Sequence, residues 1–175
     1  MLGLVIAFGI AVRDLTGHHQ AATVAPSAPP SAGLHTGLQA PPGPVGASFT
    51  LDDGGGNRYQ VALVKVIDPA RSAREASGKR SVGLVFRIKA LAGRLPGEDA
   101  NNDAVLTGTD GQDYQADLTS LAGYANFDHG VIRLSPGQTA TGAVAFQLPD
   151  GVTAAQVQWT ALSGFGSLVE WNVGG

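Results

Sequence analysis

The sequence contains no cysteine. That excludes disulfides, thiolate metal sites, a cysteine nucleophile and a lipidated-cysteine anchor. Charge is scarce as well: 14% of the 175 residues are charged, against about a quarter in ordinary soluble domains. Long solvated helices and coiled coils are therefore not expected. Eleven basic and 14 acidic residues give a net charge of −3. This is the wrong sign for general nucleic-acid binding, which needs a basic surface. Aromatics are 6% of the chain, too few for a broad stacking platform. The apolar run Met1–Val12 spans about 18 Å as a helix, whereas a bilayer core is about 30 Å thick and takes roughly 20 residues.

What the chain does have is 25 glycines and 10 prolines, and they divide it into three parts. Residues 1–13 are apolar up to Arg13, with no basic residue ahead of the run. Two readings stay open: the tail of a longer membrane helix, or an imperfect export signal. Residues 14–48 are rich in Ala, Pro, Gly and Ser, with Pro26, Pro29, Pro30, Pro41, Pro42 and Pro44. Such a segment buries too little apolar surface to offset its ordering entropy, so it reads as a semi-rigid disordered linker. Residues 49–175 are long enough for a folded core.

The pattern of this last part has period two. Val82, Leu84, Phe86, Ile88 and Ala90 alternate with Gly83, Val85, Arg87 and Lys89. Ala140, Gly142, Val144, Phe146 and Leu148 alternate with Thr141, Ala143, Ala145 and Gln147. Residues 155–161 and 168–173 alternate in the same way, which places Trp159 and Trp171 inward. Each run predicts a half-buried antiparallel strand. In Tyr59–Ile67 the apolar parity switches near Leu63, which predicts a bulge or a strand that changes sheet. Shorter strands are expected at 49–51, 105–107, 114–116 and 131–134. Turn chemistry separates them at Asp110-Gly111, Ser135-Pro136-Gly137 and Pro149-Asp150-Gly151. About seven to nine strands at this spacing define an all-β chain, an immunoglobulin-like antiparallel β-sandwich, with a small barrel as the alternative. Without a disulfide pin, packing alone must hold the sheets.

Leu134-Ser135-Pro136-Gly137, followed by Gly142, Val144, Phe146 and Pro149, resembles a strand of the telokin-like, immunoglobulin-like secreted bacterial domains grouped as domain of unknown function 4352. Tyr59-Gln60-Val61, the strand Val82–Ala90, Asn101-Asn102 and Asp110-Gly111-Gln112-Asp113-Tyr114 resemble further pieces of that group, in order. The resemblance covers roughly residues 49–173. It implies an export signal or anchor, a low-complexity linker and a sandwich outside the cytoplasm, with no catalytic residues to carry over. Many members anchor by a lipidated cysteine, which this chain lacks.

His18, His19 and His35 precede the domain. His129 lies in Asn126-Phe127-Asp128-His129-Gly130, which reads as a polar turn. No G-x-S-x-G elbow occurs. Gly78-Lys79-Arg80-Ser81 ends like a phosphate loop, but Ala73 replaces the leading glycine and a strand follows it. Residues 71–80 form a basic loop in which Arg71, Arg74, Lys79 and Arg80 are candidates for contact with an anionic surface. Asp99, Asn101, Asp103 and Asp110 match oxygen-ligand positions of a calcium loop. Ala104 and Asp110 stand where glycine and a bidentate glutamate are needed, so the expectation is at most a loose Ca²⁺ site and otherwise no cofactor. Tyr124 and Phe127 are the candidate exposed aromatic anchors.

The expectation is a non-enzymatic interaction module, extracellular or tethered at the bacterial cell envelope. It would contact an envelope or extracellular protein, or wall polymer, through loops 68–80 and 95–130 at one end of the sandwich. It would touch membrane only through its N-terminal segment and bind no nucleic acid. The alternatives are a structural or chaperone-like accessory domain acting by sheet-edge pairing, and a weak Ca²⁺-dependent adhesive domain.

Overall fold

The computed structural model describes residues 40–52, 55–127 and 129–174. The apolar run 1–13, most of the Pro-rich stretch, and His18, His19 and His35 lie outside the described residues. No described helix is long and apolar enough to cross a membrane. The strands are β1 (Gly43–Pro44), β2 (Ser48–Asp52), β3 (Arg58–Ala70), β4 (Lys79–Ala92), β5 (Leu95–Asp99), β6 (Ala104–Gly108), β7 (Asp113–Gln115), β8 (Val131–Leu134), β9 (Thr139–Pro149), β10 (Ala154–Thr160) and β11 (Leu168–Asn172). One helical turn, α1 (Ala100–Asp103), joins β5 to β6.

Two sheets face each other. One has the order β2-β3-β4-β9, the other β1-β11-β10-β6-β7, and β5 and β8 form a separate ribbon. All pairings between these strands are antiparallel except β1 with β11, which is parallel. This is an all-β, immunoglobulin-like sandwich, as the alternation predicts. The parity switch in β3 is a bulge at Leu63/Lys65. Another irregularity, at Ala154/Gln156, turns Ala154 inward instead of Ala155.

The core lies between the sheets. Val61, Leu63, Leu84, Phe86 and Ile88 from one sheet meet Leu106, Val157, Trp159 and Trp171 from the other, all fully buried. Phe86 bridges the two tryptophans, with ring centroids 4.8 Å from Trp159 and 6.0 Å from Trp171. Phe49 adds an edge contact to Trp171 at 5.2 Å. Such pairs each contribute about 0.5–1.5 kcal/mol beyond area burial. This aromatic stack packs the two sheets together where no disulfide joins them.

Two expectations need correction. Residues 43–47, read above as linker, are part of the fold: Gly43 and Pro44 pair with Trp171 and Asn172, and the Trp171 indole donates to the Ala47 carbonyl at 2.9 Å. Nor are β4 and β9 half-buried along their whole length. Gly83, Val85, Ala143 and Ala145, on the face expected to meet water, are buried, and so is Ser81 beside them. A belt of chain from Asp117 to Phe127 crosses this outer face, bridging to Ala145 and Ala143 and seating Leu121 in a second small core. Leu121 sits so close that a Cβ on Gly83 would come within 2.6 Å of it.

Candidate functional site

The loops expected to act together are split between the two ends of the sandwich. At one end the 68–80 loop meets the 149–153 turn, through Asp150 N–H donating to the Gly78 carbonyl at 3.1 Å, and the 108–112 turn meets it through Thr109 N–H donating to the Thr153 carbonyl at 2.8 Å. At the other end lie Asp52, residues 98–103, residues 129–130 and the β10–β11 turn. They are tied by Ser167 Oγ to the Asp52 carbonyl and Ala100 N–H to the Gly130 carbonyl. Residues 117–127 belong to neither end; they are the belt.

The basic candidates separate in the same way. Arg80 is a structural clip. Its guanidinium holds Asp68 in a two-pronged ion pair, at 2.7 and 2.8 Å, and donates to the carbonyls of Pro149 and Val152. The bond to Asp68 raises its pKa further above the ordinary value. With four of its five N–H donors engaged by its own domain, Arg80 is not a free anion contact. Arg71, Arg74 and Lys79 are exposed near it.

The acidic candidates do not form one coordination sphere. Asp103 and Asp110 flank β6, whose five residues span about 16 Å. Asp99 caps α1 by accepting from Asn101 N–H at 3.0 Å and also accepts from Asn102 Nδ2 at 2.8 Å. Asn101 Nδ2 reaches the His129 carbonyl at 3.4 Å. Asp110 closes the β6–β7 hairpin, accepting from Tyr114 Oη at 2.7 Å and Gln112 N–H at 3.1 Å. These bonds lower the Asp110 pKa, and the bond to Asp110 raises that of Tyr114. Among the described residues no three metal-ligating side chains converge.

Phe127 is not an exposed anchor. It is 6% exposed and belongs to the main core. Gly142 explains why: a Cβ there would lie 2.8 Å from the Phe127 ring, so the strand glycine makes room for the ring, and Phe127 fastens the end of the belt. Tyr124 packs half-buried on the second core, and Lys65 Nζ donates to its hydroxyl at 3.1 Å. Beside the belt is a cleft of about 300 Å³ lined by Asn101, Asp117, Ser120, Asn126, Phe127 and His129, among others. Its polar side chains bond largely within the protein: Asn126 Nδ2 donates to Ser120 Oγ, and Asp117 accepts from Gln147 Nε2. His129 is exposed at its rim with φ 47°.

Two features went unread in the sequence. The first is the tip of the β10–β11 hairpin, where Phe165 is 91% exposed and Leu162 40%. A phenylalanine between glycines in Ser163-Gly164-Phe165-Gly166 was the available signal. The second is a pair of buried carboxyls, Glu98 at 3% and Asp103 at 1% exposure. Glu98 Oε2 accepts from Leu162 N–H at 3.0 Å, and Asp103 Oδ1 from Ser163 N–H at 2.7 Å. Leu162 and Ser163 are both left-handed, with φ 55° and 52°. That conformation costs about 1–2 kcal/mol per non-glycine residue, which the two carboxyl bonds offset.

Fold and surface together define an immunoglobulin-like β-sandwich that displays an apolar hairpin tip at one end. The fold is similar to that of MPT63, a secreted protein from Mycobacterium tuberculosis, with a TM-score of 0.58 and 15% identity over 78% of this chain and 99% of that one. A weaker likeness, with a TM-score of 0.47 and 14% identity over 66% of this chain and 36% of the other, joins it to ycdA from Bacillus subtilis. The sequence matches no protein-family model and no curated protein.

Proposed function

We propose that this protein is a non-enzymatic interaction module working outside the cytoplasm. In this reading it belongs with the domain of unknown function 4352 group, is held at the envelope through its apolar N-terminal run, and meets its partner with the loop end that carries the β10–β11 tip. The order of parts supports the location: an apolar run, a Pro-rich stretch, then a sandwich of the same fold as a secreted mycobacterial protein.

One observation carries the binding role. Phe165 stands 91% exposed on a turn whose backbone is fixed by two bonds to buried carboxyls. A large apolar side chain left in water costs solvation that a contact recovers, and aromatic residues dominate the energetics of interfaces. The partner class is an envelope or extracellular protein. Placing a photo-crosslinking residue at position 165, and separately at Lys79 on the opposite end, tests this in intact cells. The expected result is a discrete crosslinked partner from position 165 alone, on cells whose exterior is open to added protease. Equal crosslinking from both positions, or none from either, overturns the reading.

A further inference from the structure

The buried carboxyl pair under the tip has a stoichiometry problem. One oxygen of each group is taken by a backbone N–H, while Glu98 Oε1 and Asp103 Oδ2 are buried with no donor. The two carboxyls accept from consecutive backbone N–H groups, those of Leu162 and Ser163, which sets them side by side under the turn. Two ionised groups would leave two bare oxygens repelling one another away from water. A single proton between them satisfies both.

Among the described residues, no cationic side chain is seen to stand in for that proton. The 161–167 turn, β6 and β10 carry no ionisable side chain. On α1 the ionisable group is Asp103 itself. On β5 the neighbour is Asp99, another acid, which is engaged by Asn101 and Asn102. On β8 it is Arg133, which is exposed.

We propose that Glu98 and Asp103 form a single-proton site, and that the shared proton latches the left-handed turn at Leu162–Ser163. The latch stands whether or not the tip is the contact surface. Burial, then the bond to Glu98, pushes the Asp103 pKa up to about 8. An unfolded aspartate titrates near about 3.9, so between these values the folded chain holds a proton that the unfolded chain does not. The stability this group contributes is therefore full below about pH 4, falls as pH rises, and levels off above about pH 8. Above that point both groups ionise, and the repulsion falls on the two bonds that keep Leu162 and Ser163 left-handed.

Carbon-13 spectra of the carboxyls of the full chain, taken from about pH 4 to about pH 10, read the site directly. The expected result is one carboxyl of the pair titrating near pH 8, with the amide shifts of Leu162 and Ser163 following the same midpoint. Both carboxyls titrating below about pH 5 overturns the proposal. Asp103→Asn supplies a fixed N–H in place of the proton. It is expected to flatten the fall in melting temperature between about pH 5 and about pH 8, and to melt at or above the parent on the alkaline side. Parallel pH curves for variant and parent also overturn it. If the variant does not fold, the carboxyl titration of the parent decides alone.

Discussion

The Trp159 indole N–H donates to the Tyr59 hydroxyl at 3.3 Å, across the gap between the two sheets and 100 residues apart in sequence. Both side chains are fully buried. This polar contact joins the sheets inside an apolar core. Tyr59→Phe leaves the indole N–H without that partner, at an expected cost of about 1–3 kcal/mol. Phe86→Ala removes the ring between both tryptophans and is expected to cost about 3–5 kcal/mol. Urea denaturation followed by far-ultraviolet circular dichroism measures both.

The basic loop should divide by function in the same assay. Arg80→Ala breaks the ion pair to Asp68 and two carbonyl bonds, on a side chain 20% exposed. After discounting for solvent screening, the expected loss is about 1–2 kcal/mol. Arg71→Ala and Arg74→Ala, both at exposed positions, are expected to change stability by no more than about 0.5 kcal/mol.

Gly142→Ala should release the belt. The added methyl meets the Phe127 ring at 2.8 Å, and overpacking of this kind costs about 1–3 kcal/mol. Limited proteolysis should then cut within residues 117–127 before the rest of the sandwich. Cleavage unchanged from the parent would mean that the belt is held elsewhere.

Calcium should leave the melting temperature unchanged, since Asp99, Asn101, Asp103 and Asp110 do not converge. A ligand that binds the native state raises the midpoint by mass action. A rise with Ca²⁺ that is reversed by a chelator and lost in Asp99→Ala would revive a calcium site centred on α1.

Much of the sandwich was legible because alternation is a direct imprint of a two-faced sheet. Val82–Ala90 and Ala140–Leu148 show it, and the parity break at Leu63 marked a real bulge. The belt was not legible. Phe127 sits among polar neighbours and reads as exposed; the complementary sign was Gly142, fifteen residues later and on a different element. The Glu98–Asp103 pair was hidden for a similar reason. Its partners, Leu162 and Ser163, offer backbone N–H groups, and main-chain donors leave no trace in residue identity. The calcium pattern counted oxygens along the chain, whereas β6 carries Asp110 away from Asp103.

The aromatic stack also decides what light can report. The chain has two tryptophans, and both are fully buried against Phe86. Their emission therefore follows the parting of the sheets. A partner settling on Phe165 at the hairpin tip touches neither indole, so intrinsic fluorescence would stay silent through binding and speak only when the sandwich opens.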